Sequence, residues 1–113
     1  GEIEAIAAMQ EAAQPFTYPS GLIEIPMSPP SDVTLMRTGR WKLADFRRGV
    51  EAGLDWCIEH GKVWDFLSHP SALGVADPNF EIVDLIIERV KRAGKRARLV
   101  RLDEVAKAHG AAG

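Results

Sequence analysis

The sequence predicts an α/β fold of parallel βαβ units that forms one arc of a larger α/β barrel or sheet. Three runs carry this expectation: "LIEIPM" (22–27), "KVWDFL" (62–67) and "ARLVRL" (97–102). Each is short and rich in β-branched, aromatic or other apolar residues, and longer stretches of helical periodicity lie between them. Strands joined through long helices are connected by right-handed crossovers, which make a parallel sheet. Three strands are too few for a free-standing parallel sheet, which needs both faces covered. Hence the arc.

The elements follow in order. Ile3, Ile6, Met9 and Ala13 recur at helical spacing, so a first helix is expected over about 3–13, ending before Pro15. "QPFTYPSG" is turn-rich, and the first strand, 22–27, closes at Pro26 and the loop "MSPPSD". The next stretch, "VTLMRTGRWKLAD", starts irregular. A long helix then fits 43–59, with Leu43, Phe46, Val50, Leu54, Cys57 and Ile58 on one face and Gly61 as its C′ residue. The second strand follows directly and breaks at Pro70. Asp77 as N-cap and Pro78 at N1 open the next helix. It is expected to bury Phe80, Val83, Ile86, Ile87 and Val90 and to stop at Gly94. After the third strand, Asp103 caps a short last helix, "EVAKA". No internal repeat or low-complexity segment interrupts the pattern.

With 113 residues the chain suits a single domain, 1–113, or part of a larger one. Hydrophobic residues at 46% and charged residues at 27% place it among globular chains rather than disordered ones. A net charge of −2 implies no bulk attraction to nucleic acid or anionic lipid. The basic run "KRAGKRARLVR" (91–101) is a local exception and reads as a solvated helix end followed by an edge-like strand. Cys57 is the sole cysteine, so no intrachain disulfide can form, and its place on an apolar stripe reads as a buried thiol. No apolar run is long enough for a membrane span. The N-terminus "GEIEAIAAMQEAAQ" is acidic and is not a signal peptide as it stands; the compartment stays open.

In βαβ units the strand C-termini and helix N-termini share one face, where such folds place their chemistry. His69 ends the second strand on that face, held before Pro70. His60 precedes the same strand, whose five or six residues at about 3.3 Å each separate the two histidines by very roughly 17–20 Å. His109 follows the last helix on the far face, so this topology excludes a three-histidine zinc site. Asp32, Asp77 and Asp103 fall on the face of His69. Asp77 and Asp103 read as helix caps, and Asp32 as a loop carboxylate needing no special reason. His69 is either a functional group or a loop histidine donating to a backbone carbonyl. There is no G-x-S-x-G elbow, P-loop or G-x-G-x-x-G. Trp41, Trp56 and Trp64 could stack on sugars, although core packing is the commoner use.

The ordered series "QPFTYPSGLIEIPMSPPSDVTLMRTGRWKLADF", "VWDFLSHPS" and "ADPNFEIVDLIIERVKRAG" resembles the C-terminal half of polysaccharide deacetylases of the NodB-homology type. The resemblance spans about 14–106. It implies a distorted (β/α) barrel, here with its N-terminal half missing. It also implies a hydrolase acting on non-peptide C–N bonds, with a divalent metal, commonly zinc, held by one aspartate and two histidines. In the family an aspartate acts as base, and the histidine of an L-x-H motif protonates the leaving amine. Leu67, Ser68 and His69 match that motif. The family's Asp-Asp pair and H-x-x-x-H pair belong to its N-terminal half, and this chain has neither. A clear D-x-x-D-W motif is also missing, and Asp32 is the positional candidate for the carboxylate that supports the acid histidine. Trp64-Asp65 precedes His69 on the same strand and is not that motif.

The resemblance therefore implies catalytic roles for His69 and Asp32, no metal ligands and no cofactor in this chain, and zinc in the complete enzyme. The substrate implied is an N-acetylated glycan, or a small amide, since this barrel also serves amide and ureide hydrolases. Deacetylation needs an activated water and a stabilised oxyanion, and one histidine supplies neither. The chain alone is expected to be inactive. Its open strand edges and uncovered apolar faces also predict association with itself or with its missing half. The alternative from another class is a non-catalytic α/β module that binds a carbohydrate or another protein.

Overall fold

The computed structural model describes residues 1–112. Helix α1 (Glu2–Met9) runs into a 3-10 turn (Glu11–Ala13) and a hairpin of β1 (Phe16–Thr17) and β2 (Ile23–Glu24). A π-helix (Val33–Thr38) leads to the long helix α2 (Leu43–His60). Short α3 (Leu73–Ala76) precedes α4 (Glu81–Ala93), a 3-10 turn (Gly94–Arg96) and α5 (Leu102–Ala112).

Helix α2 organises the core. At its start the Lys42 N–H donates to the Asp45 carboxylate at 3.3 Å. At its end Gly61 takes a left-handed conformation, φ 64°, and Lys62 N–H closes onto the Cys57 carbonyl at 2.8 Å. Phe46, Val50 and Leu54 are buried against Leu73 and against Ile82, Leu85 and Ile86 of α4. Each such side chain contributes about 1.5–3 kcal/mol through burial. Arg89 ties α4 to α2 through Asp55 at 2.6 Å and Glu51 at 3.1 Å. On its other side α2 meets α1 at two glycines. A Cβ on Gly53 would lie 2.6 Å from Gln10 Nε2 and 3.2 Å from the Pro29 carbonyl oxygen. Gln10 is fully buried there and donates to both Ile6 and Pro29 carbonyls.

The α/β expectation is overturned. Helix accounts for 59% of the structure and strand for 4%, and the one sheet among the described residues is a two-stranded antiparallel hairpin. No parallel βαβ unit and no barrel arc is present among the described residues. Of the expected first strand, Ile23 and Glu24 alone pair, and they pair with Thr17 and Phe16 in the stretch expected to be turn-rich. Gly21, at φ 92°, allows the tight return, and Tyr18 N–H reaches the Leu22 carbonyl at 2.8 Å. A partner six to eight residues away costs far less loop-closure entropy than a parallel strand across a helix.

The other two expected strands form no ladder. In 62–67 the rings of Trp64 and Phe66 stack at 5.3 Å, as alternate side chains of extended chain do. Its backbone groups, however, find single partners rather than a strand: Val63 bonds to the Gln14 side chain, Asp65 N–H to Ser28 Oγ at 2.8 Å, and the Asp65 carbonyl accepts Ser28 N–H at 2.8 Å. Residues 97–101 lie in neither helix nor sheet, and Leu102 already belongs to α5. Parallel pairing needs a neighbouring strand in register, and neither run has one.

Helix α4 starts later than Pro78. Its N-cap position is Phe80, at φ 57°, and not Asp77; the Asp77 side chain nevertheless reaches the first turn, where its two oxygens accept the N–H groups of Glu81 at 2.8 Å and Ile82 at 2.9 Å. The buried face is Ile82, Leu85, Ile86 and Ala93, while the expected Phe80, Val83 and Ile87 are exposed. The expected face would pack on a sheet. Without one, the helix turns the adjoining face toward α2.

Candidate functional site

The loop that enters the π-helix carries Asp32, and the loop after Leu67 carries His69. Residues 37 positions apart meet because the Asp32 carboxylate collects donors from both loops. Its Oδ1 accepts Val33 N–H at 2.8 Å and the Nδ1 of His69 at 2.8 Å. Its Oδ2 accepts the backbone N–H groups of His69 at 2.6 Å and Leu73 at 3.3 Å. Asp32 is fully buried, whereas the His69 side chain is 43% exposed. Burial alone would raise the Asp32 pKa. The hydrogen bonds from the ring and backbone of His69, and from Val33 and Leu73, outweigh it and hold the carboxyl below its usual range.

An ionised carboxylate only accepts, so Nδ1 of His69 carries the proton facing Asp32. Nε2 then has no partner among the described residues and sits on a half-exposed ring. The arrangement can orient an imidazole and let its outer nitrogen give or take a proton. The loop itself is closed by Ala72 and Gly74, whose N–H groups donate to the His69 carbonyl at 3.0 and 3.2 Å. Leu67, two residues earlier, is likewise exposed.

The other residues expected on this face do other work. Asp77 caps α4, and Asp103 pairs with Arg101 at 2.9 Å. The remaining histidines are apart from the site: His60 Nδ1 bonds the Trp56 carbonyl at 2.8 Å, and His109 Nε2 bonds Thr17 Oγ1 at 3.1 Å. Cys57 is buried, and burial pushes its thiol up to about 11, which keeps it protonated and unreactive at neutral pH. The described residues contain no group of three His, Cys, Asp or Glu fit to hold a metal. The divalent ion that the deacetylase resemblance implies therefore finds no ligand set in them. Among the described residues no helix is long and apolar enough to cross a membrane.

Sequence reasoning missed a second feature. A groove of about 990 Å³ is lined by 62–66 and 97–100, together with residues of α2, α4 and α5. Asp65 lies in it, and burial raises the pKa of its carboxyl. The signal for this groove was the pair of apolar runs that the sequence offers as strands.

No family model, no curated protein and no solved structure matches the chain.

Proposed function

We propose that this chain is the C-terminal part of a metal-dependent polysaccharide deacetylase, a hydrolase of the amide C–N bond in N-acetyl sugars, with His69 as its general acid. The observation that carries the reading is the Asp32–His69 pair: a buried carboxylate at 2.8 Å from Nδ1 of a half-exposed imidazole. It adds to the L-x-H match at 67–69. Amide hydrolysis stalls at the tetrahedral stage unless the leaving nitrogen is protonated. The Nε2–H of a protonated His69 passes its proton to that nitrogen, the C–N bond breaks, and the amine departs while His69 becomes neutral. Asp32 stays ionised throughout and fixes the ring's orientation. A divalent metal, when bound, supplies the activated water and charge stabilisation; on this reading its ligands belong to the rest of the complete protein.

The test is acetate release from N-acetylglucosamine oligomers by the complete protein. His69→Ala should lower kcat by about 10²–10⁴-fold, the usual worth of a general acid, with KM little changed. Metal content should stay the same. Asp32→Asn keeps the shape but removes the charge opposite the imidazole and replaces one acceptor oxygen by an amide donor, so it should lower kcat in the same direction. Full turnover after His69→Ala would sink the assignment.

A further inference from the structure

The groove between 62–66 and 97–100 does not depend on the deacetylase reading. Its two walls differ. On the first, Gln14 and Ser28 side chains already satisfy the backbone of Val63 and the N–H of Asp65. On the second, Ala97 is extended, with φ −148° and ψ 153°. Arg98, Leu99 and Val100 make no backbone hydrogen bond among the described residues. Leu99 is 64% and Val100 40% exposed. An extended segment with free N–H and C=O groups is a template for another strand.

The chemistry around that template is mixed. Leu54, Ile58, Ile86 and Val90 present apolar surface to the groove. Lys62, Lys95, Arg96 and Arg98 also line it, against two carboxylates, Asp65 and Glu104. None of the four cations forms an ion pair among the described residues. A chain of net charge −2 thus carries a locally basic groove.

We propose that the groove takes up an extended polypeptide segment in which apolar and acidic side chains alternate, added as a strand beside residues 98–100. A strand sends successive side chains to opposite faces. One set meets the apolar lining, the other meets the lysines and arginines, and the main chain pairs with the free amides and carbonyls of the second wall. Nucleic acid would satisfy the cations but neither the unpaired backbone nor the apolar lining.

The probe is a capped seven-residue peptide alternating valine and glutamate, titrated into the full chain and followed by amide hydrogen exchange. Saturable protection of the amides of 98–100 is expected. The double variant Lys95→Glu/Arg98→Glu should weaken binding by at least about tenfold through reversed charge. Leu99→Pro removes a ladder donor in an exposed, non-helical segment, so it should abolish the protection while leaving the far-UV circular dichroism intact. The proposal is overturned by no protection at 98–100, or by equal binding of a valine–lysine peptide. It is also overturned by displacement of the peptide by a single-stranded oligonucleotide, or by protection that rises with protein concentration alone. That last outcome would make a second copy the occupant.

Discussion

Two carboxylates in this molecule sit in opposite circumstances. Asp32 is buried beneath a loop and collects four donors, so its pKa is lowered despite burial. Asp65 is partly buried in the groove with no side-chain partner among the described residues, and burial raises its pKa. Asp32 is the N-cap of the π-helix, with helical φ and ψ, whereas Asp65 lies in neither helix nor sheet. The difference is where the neighbouring backbone finds its hydrogen bonds. Around Asp32 one side chain satisfies the N–H groups of three residues and locks two loops without any sheet. Around Asp65 the chain forms no ladder, and segment 98–100, which lines the same groove, has no backbone partner among the described residues. Polar bonds from a single carboxylate order a short loop, whereas the run at 62–67 draws its bonds from several separate residues and 98–100 has none.

The largest effect should come from removing the better-satisfied carboxylate. Asp32→Ala strips the acceptor from Val33, His69 and Leu73 at once and leaves buried donors unmade. A loss of about 3 kcal/mol is expected in urea unfolding. The exposed Asp103→Asn should leave the midpoint unchanged. The pH dependence has a definite sign. The folded-state pKa of Asp32 lies below its unfolded value, so its contribution is complete above about pH 4 and is lost as pH falls through the folded value. Asp32→Asn should flatten that acid limb.

A second break of the ordered half lies at the crossing of α1 and α2. Gly53→Ala places a methyl 2.6 Å from Gln10 Nε2 and 3.2 Å from the Pro29 carbonyl oxygen. Gln10 cannot swing away without giving up its bonds to Ile6 and Pro29. Overpacking of this kind costs about 1–3 kcal/mol. Thermal melts of Gly53→Ala should show that loss, and Gly61→Ala is not a fair control because its φ of 64° adds strain of another kind.

What could be read from the sequence follows the same division. The α2 stripe was legible because its pattern is local: Phe46, Val50, Leu54 and Cys57 repeat at helical spacing and are all buried. The stop at Gly61 was legible for the same reason, and so was the capping role of the Asp77 carboxylate, although the N-cap position itself falls at Phe80. The pairing of Asp32 with His69 was accessible through the resemblance, as a positional candidate, because no local pattern links residues 37 apart. The sheet was misread. A short apolar run has the same appearance whether or not a second strand lies beside it, and pairing is a property of the neighbour. The buried face of α4 was misassigned as a consequence. Phe80, Val83 and Ile87 are apolar enough to face a core, and the missing sheet leaves them exposed.

Asp65→Asn tests the groove side with the opposite sign. A raised folded-state pKa means that stability falls as pH rises from the unfolded value of about 4 through the folded one. Asparagine removes that charge, so the urea midpoint at neutral pH should rise slightly. The advantage should vanish in acid, where Asp65 is protonated anyway. A lower midpoint at neutral pH would mean that the carboxylate has a favourable partner and that the two corners are alike.

The smallest expected effect is at Trp64, where two opposed contributions nearly cancel. Its indole Nε1 is buried with no hydrogen-bond partner, the one such side-chain atom among the described residues. An orphaned buried donor costs about 1–3 kcal/mol, because it gave up water and gained nothing. Trp64→Phe removes that donor. It also removes part of a ring that packs against the core and stacks on Phe66 at 5.3 Å, a loss of about 1–2 kcal/mol from apolar area. The net change in unfolding free energy should therefore stay within about 1 kcal/mol of zero. A larger loss would mean that the indole N–H finds an acceptor in solution, and the groove side would then be better satisfied than its geometry implies. Trp64→Leu separates the contributions, since it removes the donor and the stacking together and should be the more destabilising of the two.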